Sequence, residues 1–303
     1  MENMQINIMK HKKWYLIFSV CLLVPGIISL AIFGLRLSID FIGGSVFEFD
    51  FGQNVSKSEI QLRKTFSDQQ IQVESIIYSG NKAIIRTKPV EVSKDEKLKA
   101  EIGKSFKNSK QISFETIGPL VGKETTRKAL IALVTASFGI VLYISYAFRN
   151  IPKPYSSFRF GISAIIAMLH DAFIVIGVFS FLGKFFNIEV NALFITAVLT
   201  VIGFSVHDTI VVFDRIRENL TKLPKTTGFS DVVNFSVVET LNRSFATSLT
   251  VIIVLTSLLL LGGATIKDFI LALVIGIISG TYSSIFTASP ILVYWEEYIN
   301  RKG

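Results

Sequence analysis

Six stretches of the chain are nearly unbroken runs of apolar residues: 14–35, 129–148, 160–182, 190–213, 244–264 and 269–295. Each approaches or exceeds the ~20 residues an α-helix needs to cross the hydrocarbon core of a bilayer. The first, second, fifth and sixth hold no charged residue. Between the first and second runs the pattern changes. Residues 45–51, SVFEFDF, alternate apolar and polar as a half-buried strand does. Ser56 followed by Glu59 predicts a capping box that opens a helix over 56–68. VESIIYS, a tight turn at Gly80-Asn81-Lys82 and KAIIRTK read as a hairpin. Ser93 with Glu96 repeats the capping signature before a helix over 93–107, and QISFETI closes as a strand. The order β-α-β-β-α-β predicts a split-βαβ, ferredoxin-like arrangement.

The expected fold class is an α-helical membrane protein of six transmembrane helices, with one extracytoplasmic α+β domain inserted between helices 1 and 2. The expected division is residues 1–35 for the N-terminus and first helix, 36–128 for the inserted domain, and 129–303 for helices 2–6 and the C-terminus. Composition agrees: half of the 303 residues are hydrophobic and the mean hydropathy is +0.53, too apolar for an ordinary soluble enzyme. A cleaved signal peptide is disfavoured for the first run, which exceeds the usual apolar core of such a signal and precedes no small-residue cleavage site. An uncleaved anchor is expected.

Charge sets the expected orientation. Thirteen Lys and Arg flank the spans on the side of the termini, against Lys184 and Lys267 in the opposite short loops. Both termini are therefore expected in the cytoplasm and residues 36–128 outside it, in a multi-pass protein of the cytoplasmic (inner) membrane. Residues 36–128 hold 16 basic and 12 acidic side chains. That surplus is diffuse, so no nucleic acid is expected as a partner. The single cysteine, Cys21, lies in the first run, so the inserted domain must hold together by packing.

The chain offers little conventional catalytic chemistry. The inserted domain has no Cys/His cluster and no Ser-His-Asp set, and neither enzyme activity, cofactor nor metal is expected. GPLVGKET at 118–125 fails as a phosphate loop: three residues separate its glycines, and Glu124 stands where Ser or Thr would bind magnesium.

The chemistry lies inside the apolar runs. A carboxylate in mid-span costs ~2.5–3.5 kcal/mol on insertion scales, so it needs a polar interior and a partner. His170-Asp171 in the third run and His207-Asp208 in the fourth are the candidates. Arg243 opens the fifth run at a depth matching Asp208, which predicts an Asp208–Arg243 pair. Burial and a nearby guanidinium push a carboxyl group in opposite directions, so movement that parts such a pair would load a proton. The same pair also fits a plain interhelical tie. Each histidine fits three roles: orienting its aspartate, shuttling a proton, or bonding across helices. Asp214, Arg215, Arg217 and Glu218 read as a solvated helix end. Small residues, sharpest at Gly276-x3-Gly280, predict close helix contacts, more readily an internal seam than a partner surface. Pro25 and Pro290 predict kinks.

These residues resemble the SecF family of the bacterial Sec protein-export machinery. The likeness runs through IDFIGGS at 39–45, GPLVGKE at 118–124, LHD at 169–171, VIGFSVHDTIVVFDRIREN at 201–219 and NRSFATSLT at 242–250. It implies a complex with SecD of the resistance-nodulation-division type. That complex would act with the SecYEG translocon, with YajC and with translocating preproteins, within membrane lipids, and use the proton gradient to draw secreted chains outward. It further implies a proton relay of Asp208, Arg243, Asp171, His207 and His170, and a membrane-junction motif of Asp40, Gly43 and Gly44. The chain departs from the family pattern at Ser38, where Gly is usual, and at His207, where Asn is usual. Two other functions remain open: half of a proton-driven small-molecule exporter, and a passive translocon assembly or stability factor.

Overall fold

The computed structural model describes residues 7–52 and 58–300. The chain divides into two compact units, one of residues 37–131 and the other of residues 1–36 with 132–303.

The smaller unit opens with a short helix, α2 (Ile39–Ile42), after α1 (Lys12–Phe33) of the larger unit. Ser38 caps α2, its hydroxyl accepting from the Asp40 N–H at 3.2 Å. Then follow β1 (Gly44–Asp50), α3 (Glu59–Asp68), β2 (Val73–Ser79), β3 (Lys82–Thr87), α4 (Val92–Ser105) and β4 (Lys110–Ile117). The strands form one antiparallel sheet in the order β2-β3-β1-β4, the ferredoxin-like topology. The alternation in β1 drives Phe47 and Phe49 to one face, with Phe51 beyond its end. They meet Phe66 and Leu62 of α3, Leu98 and Ile102 of α4, and Phe106. Ring centroids lie 5.4 Å apart for Phe47–Phe66 and 5.1 Å for Phe51–Phe106, edge to face.

Neither expected capping box can be claimed. Ser56 lies outside the described residues, and the helix there begins at Glu59 after Ser58. At the second, Ser93 is already inside α4, whose N-cap is Glu91. Its hydroxyl donates to the Glu91 carboxylate at 3.3 Å. The extended backbone of Glu91 starts the helix two residues earlier than the Ser-x-x-Glu spacing suggests.

The larger unit holds α1, the helix α5 (Pro119–Ala147) from residue 132 onward, α6 (Ser157–Phe186), α7 (Ala192–Lys222) and α8 (Phe229–Leu261). The last span contains α9 (Ala264–Ser283), a π-helical segment (Ser284–Ala288) and α10 (Ser289–Asn300). Among the described residues, six helices are long and apolar enough to cross a membrane. At least half of the most apolar window of α6, of α7 and of the last span is buried, but only about a tenth or less in α1, α5 and α8. The first three form the centre, and the others present apolar flanks.

Polar atoms and missing side chains set the contacts of this centre. The buried residues of α1 are Ser19 and Ser29, which bond to Thr287 (2.8 Å) and Ser180 (3.1 Å). Where α1 crosses α6, a Cβ on Gly177 would lie 2.5 Å from the Gly26 Cα. A Cβ on Gly276 would lie 2.1 Å from a Val201 methyl. The Gly276-x3-Gly280 pair is thus an internal seam between α9 and α7. A π segment, Ser284–Ala288, lies just before Pro290, where a kink was expected. Proline has no N–H for the preceding turn and its ring crowds the carbonyl four residues back, which the wider turn accommodates. Helix α7 does not stop at the end of its apolar run but continues to Lys222. The Asp214-to-Glu218 stretch is therefore helix, with Arg215 forked onto Glu239 of α8 through two contacts of 2.7 Å.

Candidate functional site

The two carboxylates expected to matter are buried in different cages, both built of hydroxyls. Asp171, on the inner face of α6, is fully buried. Ser205 of α7 donates to its Oδ2 at 2.5 Å, Ser283 of α9 donates to the same oxygen, and Ser279 donates to Oδ1 at 2.7 Å. His170 Nδ1 lies 3.0 Å from Oδ1. An ionised carboxylate only accepts, so that contact requires the ring hydrogen on Nδ1 whenever Asp171 is charged. The other ring nitrogen, Nε2, is buried and has no partner among the described residues.

Asp208, on α7 one turn beyond Ser205, is 6% exposed. Ser244 of α8 donates to its Oδ1 at 3.0 Å and Ser284 of the π segment donates to its Oδ2 at 2.8 Å. Two donors hold it, against three hydroxyls and an imidazole at Asp171.

The expected Asp208–Arg243 ion pair is not formed. Successive residues of a helix point 100° apart, and it is Ser244, buried, that faces Asp208, while Arg243 is turned outward and exposed. Arg243 still shares a space with the carboxylate. Together with His207 and Thr247, the two line a cavity of about 370 Å³ in the cleft between α7 and α8. A second cavity of about 490 Å³ lies beside it, sharing Val211 and Arg243 and lined further by Asp214, Arg215, Glu218 and Glu239. The guanidinium stands between the carboxylate's cavity and a group of charged residues at the helix ends. His207 is exposed and points away from the Asp171 cage. The five relay candidates therefore fall into two groups, Asp171 with His170, and Asp208 with Arg243 and His207 near it.

The serines were legible only as small residues. Ser279 and Ser283 recur at a helical repeat, and Ser205 sits a turn before Asp208. Hydroxyls on the same stripe as a buried acid are the signal that would have found the cages. A further pair is invisible to sequence spacing: Arg159 of α6 and Glu296 of α10 form a buried ion pair at 2.6 Å. In the sequence the cations at 149–159 read as loop charges.

Asp40, Gly43 and Gly44 form a backbone device in the smaller unit. Gly43 and Gly44 have φ of 75° and 132°, where a side chain is strained. A Cβ on Gly43 would lie 2.8 Å from the Pro119 Cα, and one on Gly122 would lie 2.8 Å from the Gly43 nitrogen. GPLVG thus packs its backbone onto residues 41–43.

Six helices of spanning length among the described residues, with acids caged on the inner faces of the bundle, define a multi-span membrane protein. Comparison with known proteins narrows this. Residues 97–298 match the family described as protein export membrane protein SecD/SecF, C-terminal, and residues 28–55 match the SecD/SecF GG motif. This chain belongs to the SecD/SecF family. It is 44% identical to the protein translocase subunit SecF of Thermobaculum terrenum, over 96% of this chain and 94% of that one. It is 36% identical to the protein translocase subunit SecDF of Bacillus subtilis, over 94% of this chain but 37% of that one. Among solved structures, SecDF of Thermus thermophilus, a translocon-associated membrane protein, matches with a TM-score of 0.81 at 30% identity, over 97% of this chain and 39% of that one. The chain thus spans nearly all of its SecF relative and about two-fifths of the longer SecDF chains.

Proposed function

We propose that this chain is the SecF-type accessory subunit of the Sec preprotein translocase. With a SecD half, it uses the proton motive force to promote late steps of translocation across the cytoplasmic membrane. Its partners in this reading are SecD, the SecYEG translocon with YajC, the emerging preprotein and the surrounding lipids. Its termini are cytoplasmic, and residues 36–128 form a domain on the far side. Family membership and near-complete coverage of the SecF relative support the role, and the thirteen-to-two distribution of basic residues supports the orientation.

The observation that carries the coupling is the setting of Asp208. A hydroxyl both donates and accepts and turns freely, so a cage of Ser244 and Ser284 serves the carboxylate in either protonation state. Arg243 lines the same cavity as the carboxylate without pairing with it. Closing the α7–α8 cleft would bring the guanidinium to the carboxylate and favour the ionised form, and opening it would favour proton uptake. One charge moved through 100 mV is worth ~2.3 kcal/mol, enough to bias a two-state element by about fifty-fold.

The test is export of a secreted reporter after its ATP-driven stage has been halted. The parent and Asp208→Asn are compared at equal abundance, with and without a proton gradient. The gradient should accelerate export in the parent and do nothing in the variant. Export that still responds to the gradient in the Asp208→Asn variant would mark the chain as a passive assembly factor.

A further inference from the structure

Ser283 and Ser284 are consecutive, yet their hydroxyls serve different acids: Ser283 donates to Asp171 and Ser284 to Asp208. The change of target falls at the junction where α9 ends and the π segment begins. Each hydroxyl also has a second acceptor within reach on its own helix. Ser283 Oγ lies 3.2 Å from the Gly280 carbonyl oxygen, and Ser284 Oγ lies 3.2 Å from that of Thr281. The segment is braced from behind by Ser289, fully buried, whose hydroxyl donates to the Ser284 carbonyl at 3.2 Å. A π turn replaces the ordinary i→i+4 bonds with i→i+5 ones and occurs mostly as single turns, often at functional sites, so a side chain that bonds one of its carbonyls helps to hold the turn.

We propose that Ser284 is a positioning residue that reports the protonation state of Asp208 to the π segment, and that Ser283, next in line, carries the change to Asp171. With Asp208 ionised, the Ser284 hydroxyl donates to Oδ2, as observed. When Asp208 binds a proton, its own O–H becomes a donor. It donates to Ser284 Oγ, and the serine hydrogen turns to the Thr281 carbonyl. No covalent bond changes apart from the O–H formed on the carboxyl group. Ser284 exchanges an acceptor on α7 for one on its own helix, which frees the junction to move. Ser283 moves with it, and Asp171 loses or regains one of its hydroxyl donors.

Among the described residues, the ionisable groups around Asp208 are Arg243 of α8 and His207 of its own helix in the shared cavity, and Asp171 with His170 of α6 beyond Ser205. The last span contributes hydroxyls at this level. The proposal rests on the reading of Asp208 as the proton carrier and adds to it a defined link between the two acids.

The experiment is an infrared pH titration of the carboxyl C=O band, on the full chain reconstituted with its SecD half. Parent, Asp208→Asn, Ser284→Ala, Ser284→Thr and Ser283→Ala are compared at matched thermal stability. Asp208→Asn should remove one titrating band. Loss of one donor to the carboxyl group should displace the midpoint of that band in Ser284→Ala and change its frequency, while Ser284→Thr keeps the parental band. Ser283→Ala, which of the two acids touches only Asp171, should also displace the Asp208 midpoint. If the band disappears in Asp208→Asn but keeps its midpoint in both alanine variants, the serine link is refuted and the proton reading stands. A band that survives in Asp208→Asn would refute both.

Discussion

Removal of one half of the Arg159–Glu296 pair should reveal how much the ends of α6 and α10 depend on it. The Glu296 side chain is 3% exposed, its Oε2 meets Arg159 Nη1 at 2.6 Å, and its Oε1 is buried with no partner among the described residues. In Arg159→Met the thioether fills the space of the stem, but the Glu296 carboxyl group is left buried and unopposed. Truncating one partner of a buried pair costs about 3–5 kcal/mol, whereas replacing both with apolar groups is often neutral. Arg159→Met should therefore destabilise the folded chain by about 3 kcal/mol or more. Arg159→Met with Glu296→Leu should return to within about 1 kcal/mol of the parent. Reversible unfolding of the chain in mixed micelles, read through the single-mutant and double-mutant cycle, measures both quantities. A coupling energy below about 0.5 kcal/mol, the value of an exposed pair, would refute the reasoning, since the contact would then be solvated in the membrane.

Three other outcomes follow from the packing. Gly276→Ala places a methyl against buried Val201, so overpacking should cost about 1–3 kcal/mol and Val201→Ala should recover most of it, again by unfolding in micelles. Phe47→Ala, at the centre of the smaller unit's ring cluster, should cost that unit about 3–5 kcal/mol and expose it to limited proteolysis while the larger unit stays intact. Burial, and after it the Glu296 carboxylate, hold the phenol of Tyr155 above its ordinary value of 10.0. The folded chain keeps that proton where the unfolded chain has lost it, so stability should fall as pH climbs past about 10. In Glu296→Gln, site-labelled NMR should show Tyr155 titrating at lower pH.

The pattern of apolar runs located the spans because length and hydropathy are properties of a single segment. The strand alternation located the ferredoxin-like sheet for the same reason. Contacts between segments were harder to read. The Asp208–Arg243 pair was inferred from matching depth, but depth is one coordinate, and rotation about α8 decides whether residue 243 or 244 faces the acid. The cages went unread because serine in an apolar helix carries two messages, smallness and a hydroxyl, and sequence spacing reports only the first. The π segment has no spacing signature of its own, though Pro290 marks where regular α-helix would be costly. Arg159 and Glu296 lie 137 residues apart, beyond any local pattern. Asp40 and the glycine pair were noticed as a motif and Ser38 as a departure beside it, and the backbone reason for the glycines appears only when Pro119 is seen lying against Gly43.

The phenylalanine cluster of the smaller unit has a consequence for how the chain matures. With the sole thiol on α1 and none in the sheet or its helices, that unit reaches its final form without any oxidation step. Strains deprived of their thiol-oxidising catalysts should accumulate it at the normal rate, in reducing and oxidising growth media alike.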